Sequence, residues 1–145
     1  MAVSFSHVGI CVADLDRSLA FYCEGLGFDA AERHEIGDEF AALMELSSVS
    51  LTSQFIRKGE IAIELIDFHE PEIELVGRRP LPRTGLTHLS IRVDDLDDVA
   101  GRLAALGGSI VESTRTVLPF GDTSLRFIYL TDPDGTRVEL MEIPG

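Results

Sequence analysis

Only two cysteines, Cys11 and Cys23, occur among the 145 residues, and they stand in no spaced metal or redox pattern. That excludes a disulfide framework, and both are expected as small buried apolar side chains. No apolar stretch exceeds the length of a strand, so no membrane partner is expected. Met1 to His7 carries neither a basic patch nor an apolar run, which points to a cytoplasmic protein. Basic residues are also scarce: 12 Lys and Arg stand against 25 Asp and Glu, for a formal net charge of −13. A protein that follows phosphate backbones needs the opposite balance, so nucleic acid is not an expected partner. The one local concentration of positive charge, Arg78, Arg79 and Arg83, reads either as a solvated loop or as a seat for a small anion.

What the chain does have is enough apolar content, 45%, to bury a core at the length of one typical domain. It also has an internal repeat. HVGICVADLDRSLAFYCEGLGF begins at His7, and HLSIRVDDLDDVAGRLAALGGS begins 88 − 7 = 81 residues later at His88. Farther on, IAIELIDF contains Glu64 and TRVELMEI contains Glu139. Each half thus supplies one His on its first strand and one Glu on its last.

The local grammar is shared as well. Asp14 and Asp95 are placed to cap helices near 15–25 and 96–106, with Leu15, Leu19, Tyr22 and Leu26, then Leu96, Val99, Ala100, Leu103 and Leu106, at helical spacing. Gly25 with Gly27, and Gly107 with Gly108, close them. Strand character follows at about 28–35, 49–57 and 60–68, then 109–116, 125–131 and 136–143. Gly59 turns one pair and the DPDG stretch from Asp132 turns another. The expected fold is α+β: two tandem βαβββ modules forming a cupped mixed sheet with a helix packed outside each half. Module one spans about 4–69, a linker about 70–85 and module two about 86–145, within one domain. An insert, DEFAALMELS over 38–47, predicts a short helix that either covers a pocket or simply packs.

Alternation along strands assigns faces. Val8, Ile10 and Val12 leave His7 on the opposite side, Leu89, Ile91 and Val93 leave His88, Ile63 and Leu65 oppose Glu64, and Val138 and Leu140 oppose Glu139. All four polar residues then face away from the helices. Taken singly, each is ordinary: a strand His is more often hydrogen-bonded structure, and a Glu on a sheet face is usually solvated. Taken together, two carboxylates brought close require a cation or protons. His7, Glu64, His88 and Glu139 would balance a divalent ion to neutrality, and mixed N and O ligation suits zinc, nickel, cobalt, manganese or iron.

The strand His before D-L-D and a helix with F-Y and L-G-F, the I-E-L at Ile63 to Leu65, and D-P-D-G with V-E-L at Val138 to Leu140 resemble the vicinal oxygen chelate superfamily. That superfamily includes glyoxalase I, methylmalonyl-CoA epimerase, extradiol dioxygenases and fosfomycin-resistance proteins. The resemblance covers nearly the whole chain. It implies one divalent metal ion, a small-molecule substrate, a homodimer, and a lyase, isomerase or epimerase working by proton abstraction next to a carbonyl through a metal-held enediolate. A Glu at the second ligand position matches the glyoxalase-like set rather than the His, His, Glu set of the dioxygenases. The T-x-N-W-G stretch usual in glyoxalase I is replaced here by IDFHEP. By the same resemblance Glu139 is the first choice of base and Glu64 the second. Gln54, Phe40, Met44 and Phe120 are the expected substrate contacts, Gln54 having the alternative of an exposed polar strand residue. An extradiol-type dioxygenase and a non-catalytic binding or resistance protein remain as alternative functions.

Overall fold

A computed structural model describes residues 2–145. The chain divides into two compact units, one ending at Leu75 and one running Val76–Gly145.

In the first unit, β1 (Val8–Cys11), β2 (Asp29–Ile36), β3 (Ser50–Lys58) and β4 (Ile61–Glu70) form a sheet in the order β1-β4-β3-β2. β1 runs parallel to β4 and the other pairs are antiparallel. The helix α1 (Leu15–Leu19) is capped by the Asp14 carboxylate, which accepts from the Arg17 N–H, and it continues into a wider π-helical stretch over Ala20–Gly25. α1 packs on β4. Ile10, Leu15, Phe21, Ile56, Ile63 and Leu65 are buried on that side because every second strand residue there is apolar.

The second unit repeats the plan with β5 (Leu89–Val93), α2 (Leu96–Ala105), β6 (Ser109–Phe120), β7 (Thr123–Thr131) and β8 (Arg137–Glu142), in the order β5-β8-β7-β6. β5 is parallel to β8. Leu96, Leu103, Ile128, Leu130, Val138 and Leu140 form its core. The DPDG turn closes when Asp132 accepts from the backbone N–H groups of Asp134 and Thr136. The fold is therefore α+β, two tandem modules each with a four-stranded mixed sheet and one principal helix.

Three expectations are corrected. The 38–47 insert is one 3-10 turn, Asp38–Phe40, followed by turns rather than a helix. The Asp38 carboxylate accepts from the Ser48 hydroxyl and the Val49 N–H, which folds the segment back on itself, and Glu45 takes a left-handed φ of 59°. β6 extends to Phe120 because it forms a long hairpin with β7 across a turn at Gly121, φ 58°. Cys11 is exposed: it alternates with the buried Ile10 and so falls on the open face of its sheet.

On the helix side of the second unit the Arg126 guanidinium, then that of Arg115, holds the Asp97 carboxyl below the usual range. A depressed folded-state pKa adds stability above the unfolded value, about 3.9, which is lost as pH falls through the folded value. Asp97→Asn is accordingly expected to melt below the wild type at pH 7, the gap closing as acid protonates the wild-type carboxylate. Thermal melts from pH 7 to pH 2 check this, and a gap that persists in acid would contradict it.

Candidate metal-binding pairs

Within the first unit, the parallel register of β1 on β4 sets Gly9, two residues beyond His7, against Glu64. His7 Nε2 lies 3.2 Å from Glu64 Oε2. Within the second unit, Ser90, again two residues beyond the His, is set against Glu139, and His88 Nε2 lies 2.9 Å from Glu139 Oε2. Two copies of one arrangement thus present an imidazole nitrogen to a carboxylate on the sheet face away from the helix.

The far side of each imidazole is also engaged in the same way. His7 Nδ1 is 2.8 Å from the Ser6 hydroxyl and His88 Nδ1 is 2.9 Å from the Thr87 hydroxyl. A partner at Nδ1 fixes the ring and leaves Nε2 as the nitrogen to present to a ligand. Each ring further stands edge-on to an aromatic from the strand beside the Glu: Phe55 at 5.0 Å in the first unit and Tyr129 at 5.2 Å in the second. Phe55 pairs with Glu64 in register and Tyr129 with Glu139. Burial, then the Glu139 charge, pushes the Tyr129 phenol up, so it stays protonated. None of Ser6, Thr87, Phe55 or Tyr129 emerged from the sequence. A hydroxyl residue directly before each His and an aromatic on the strand before each Glu were the available signals.

The pairs differ in one respect. In the first, the Ser53 hydroxyl donates to Glu64 Oε1 at 2.6 Å. In the second, the corresponding position, set against the residue two beyond the Glu, is Phe127, which offers no hydroxyl. Glu139 is thereby the less tethered carboxylate. Gly9 adds room beside Glu64, since a Cβ there would meet Ile66 Cδ1 at 3.4 Å and Glu64 Oε2 at 3.9 Å.

The expected substrate contacts are placed differently from one another. Met44 packs against Ala41, Val49 and Leu51, as do Ile66 and Phe68, which share the Glu64 face of β4. Phe40 is 41% exposed on the insert, and Phe120 is 53% exposed at the end of β6. Gln54 is on the opposite face from Glu64, set against Leu65 and 5% exposed. Its amide donates to the carbonyls of Ala31 and Phe55, at 3.1 and 2.9 Å, stitching the irregular register between Ala30 and Arg33. Gln54→Ala should cost about 1–3 kcal/mol of stability, the penalty for leaving buried acceptors unpaired. Denaturant unfolding measures it, and an unchanged midpoint would return Gln54 to the substrate-contact group.

Each pair offers donors that suit a divalent transition metal, an imidazole nitrogen whose other ring nitrogen is engaged and a carboxylate, while among the described residues no third His, Cys, Asp or Glu side chain joins either pair. The sequence profile of the Glyoxalase/Bleomycin resistance protein/Dioxygenase superfamily matches residues 4–140, and the chain belongs to that superfamily. Similar proteins include a 2-epi-5-epi-valiolone epimerase of an Actinomyces species, 28% identical over 99% of this chain and 81% of the relative. Another is the uncharacterized protein YaeR of Escherichia coli (strain K12), 32% identical over 94% of this chain and 93% of the relative. The crystal structure of a glyoxalase family protein from Bacillus cereus shares the fold with a TM-score of 0.84 at 24% identity, covering 100% of this chain and 97% of that one.

Proposed function

We propose that the two His–Glu pairs serve one divalent metal ion and that the protein is a glyoxalase-like lyase, isomerase or epimerase acting by proton transfer next to a carbonyl. The observation that carries this reading is the repetition of a His Nε2 facing a Glu Oε2 at matching register in both units. His7, Glu64, His88 and Glu139 would hold the metal. When bound, it would supply Lewis acidity toward two adjacent oxygens of a small-molecule substrate. The superfamily and a relative named as an epimerase support a reaction of this class.

Glu139 is assigned as the base. Its carboxylate lacks the hydroxyl tether that Ser53 gives Glu64, so it is the one able to reach toward a substrate C–H and return the proton. Tyr129, beside Glu139 and protonated, orients His88 through its ring contact. Phe55 braces His7 in the same way.

The test is solvent deuterium incorporation into 2-oxo hemithioacetals, 2-hydroxy ketones and acyl thioesters with an acidic carbon, with dissolved oxygen followed in parallel. Exchange without oxygen uptake is expected. Oxygen uptake without exchange would establish the dioxygenase instead, and tight ligand binding with no turnover would establish a binding protein.

A further inference from the structure

The two units carry matching carboxylates on the helix side of their sheets, but only the second fills the space between them. There, Arg126 on β7 faces Glu142 in register and donates to it at 3.0 Å, and its other terminal nitrogen donates to Asp97, the second residue of α2. Arg115 donates to Asp97 as well, at 2.8 Å. Register locates the counterparts in the first unit. Asp67 follows Glu64 at the spacing at which Glu142 follows Glu139, Asp16 is the second residue of α1, and Thr52 faces Asp67 where Arg126 faces Glu142. Arg33, two residues before the partner of Thr52, matches Arg115, two before the partner of Arg126. The carboxylates are retained and one guanidinium is missing.

An open cleft of about 420 Å³ lies there, lined by Asp16, Arg33, Glu35, Thr52, Asp67 and His69 among others. Its floor is ordered: the Thr52 hydroxyl, on a residue only 2% exposed, donates to Glu35 Oε2 at 2.8 Å and is 3.0 Å from His69 Nε2. Arg33 is directed at Glu35, with Nε at 3.5 Å. Among the described residues no arginine or lysine is paired with Asp16 or Asp67.

We propose that this cleft binds a guanidinium cation, in the seat that the Arg126 side chain occupies in the other unit. A planar guanidinium can donate to two carboxylates at once, as Arg126 does to Asp97 and Glu142, and the cleft has room for the alkyl stem of a ligand. Asp67 and Asp16 would take the two edges of the fork. This site is on the opposite sheet face from His7 and Glu64 and is independent of the metal reading.

Calorimetric titration of the whole protein at low salt tests the proposal with agmatine, a blocked Gly-Arg-Gly tripeptide and putrescine as probes. Saturable binding of a guanidinium probe, at least about tenfold tighter than putrescine and weakened at least about tenfold by Asp67→Asn, is expected. Agmatine ahead of the tripeptide would point to a free small molecule, and the reverse to an arginine side chain of a protein, both keeping the proposed chemistry. Thr52→Arg, which supplies the missing guanidinium from within, should abolish binding. Asp67→Asn alone decides the matter should Thr52→Arg fail to fold. No saturable binding, equal affinity for putrescine, or affinity untouched by Asp67→Asn would overturn the proposal.

Discussion

Glu139→Gln is expected to lower the rate of solvent exchange into substrate by about 100-fold to 10,000-fold, the usual contribution of a general base, while the metal content falls little. The substitution keeps the shape of the side chain and an oxygen able to face His88, but removes the carboxylate proposed to accept the substrate proton. Glu64→Gln is expected to act differently. Glu64 is held by the Ser53 hydroxyl as well as facing His7, so its loss should show more in metal affinity than in the chemical step. Parallel measurement of exchange rate and bound metal for the two variants separates the roles. Equal losses of turnover with equal losses of metal would remove the assignment of Glu139 as base.

His7→Ala and His88→Ala should each weaken metal binding by at least the roughly 10-fold to 100-fold that even outer-shell changes produce, with folding retained. Both rings are on the open face of a sheet, away from the apolar cores that stabilise each unit, and both are partly exposed. Ser6→Ala and Thr87→Ala, which free Nδ1 without touching Nε2, should have smaller effects in the same direction. Metal titration alongside thermal melts is the check. Variants that lose cooperative unfolding even without metal would make the histidines structural.

Much of the fold was legible because the repeat announced itself twice, in the His before D-L-D and in the Glu between apolar neighbours. Strand alternation placed Glu64 and Glu139 opposite the helix-facing residues, as the sheets show, while His7 and His88 stand one residue before β1 and β5 and face the two carboxylates. Gln54 illustrates what alternation alone leaves open. Its face depends on the register of β3 against β4, and a shift of one residue exchanges the two faces. The tight hairpin that pairs Lys58 with Ile61 sets Phe55, not Gln54, against Glu64. The two-residue turn at Gly59 and Glu60 is what puts the Phe55 ring on the Glu64 face and Gln54 in the interior.

The insert failed for another reason. Phe40, Leu43 and Met44 have helical spacing, but Asp38 competes for the chain by binding Ser48 and Val49 ten and eleven residues on, and the segment closes into a loop. Side-chain to backbone bonds across such a separation have no periodic trace. The asymmetry between the Glu residues was hidden likewise, since Ser53 and Phe127 correspond only once both hairpin registers are known.

Elemental analysis of protein purified without chelator, followed by titration of the metal-free form, decides whether His7, Glu64, His88 and Glu139 hold one metal ion as proposed. About one divalent transition metal per chain is expected, lost when either His7 or His88 is replaced. No uptake by the wild type, or metal retained at full stoichiometry in His7→Ala and His88→Ala, would contradict it.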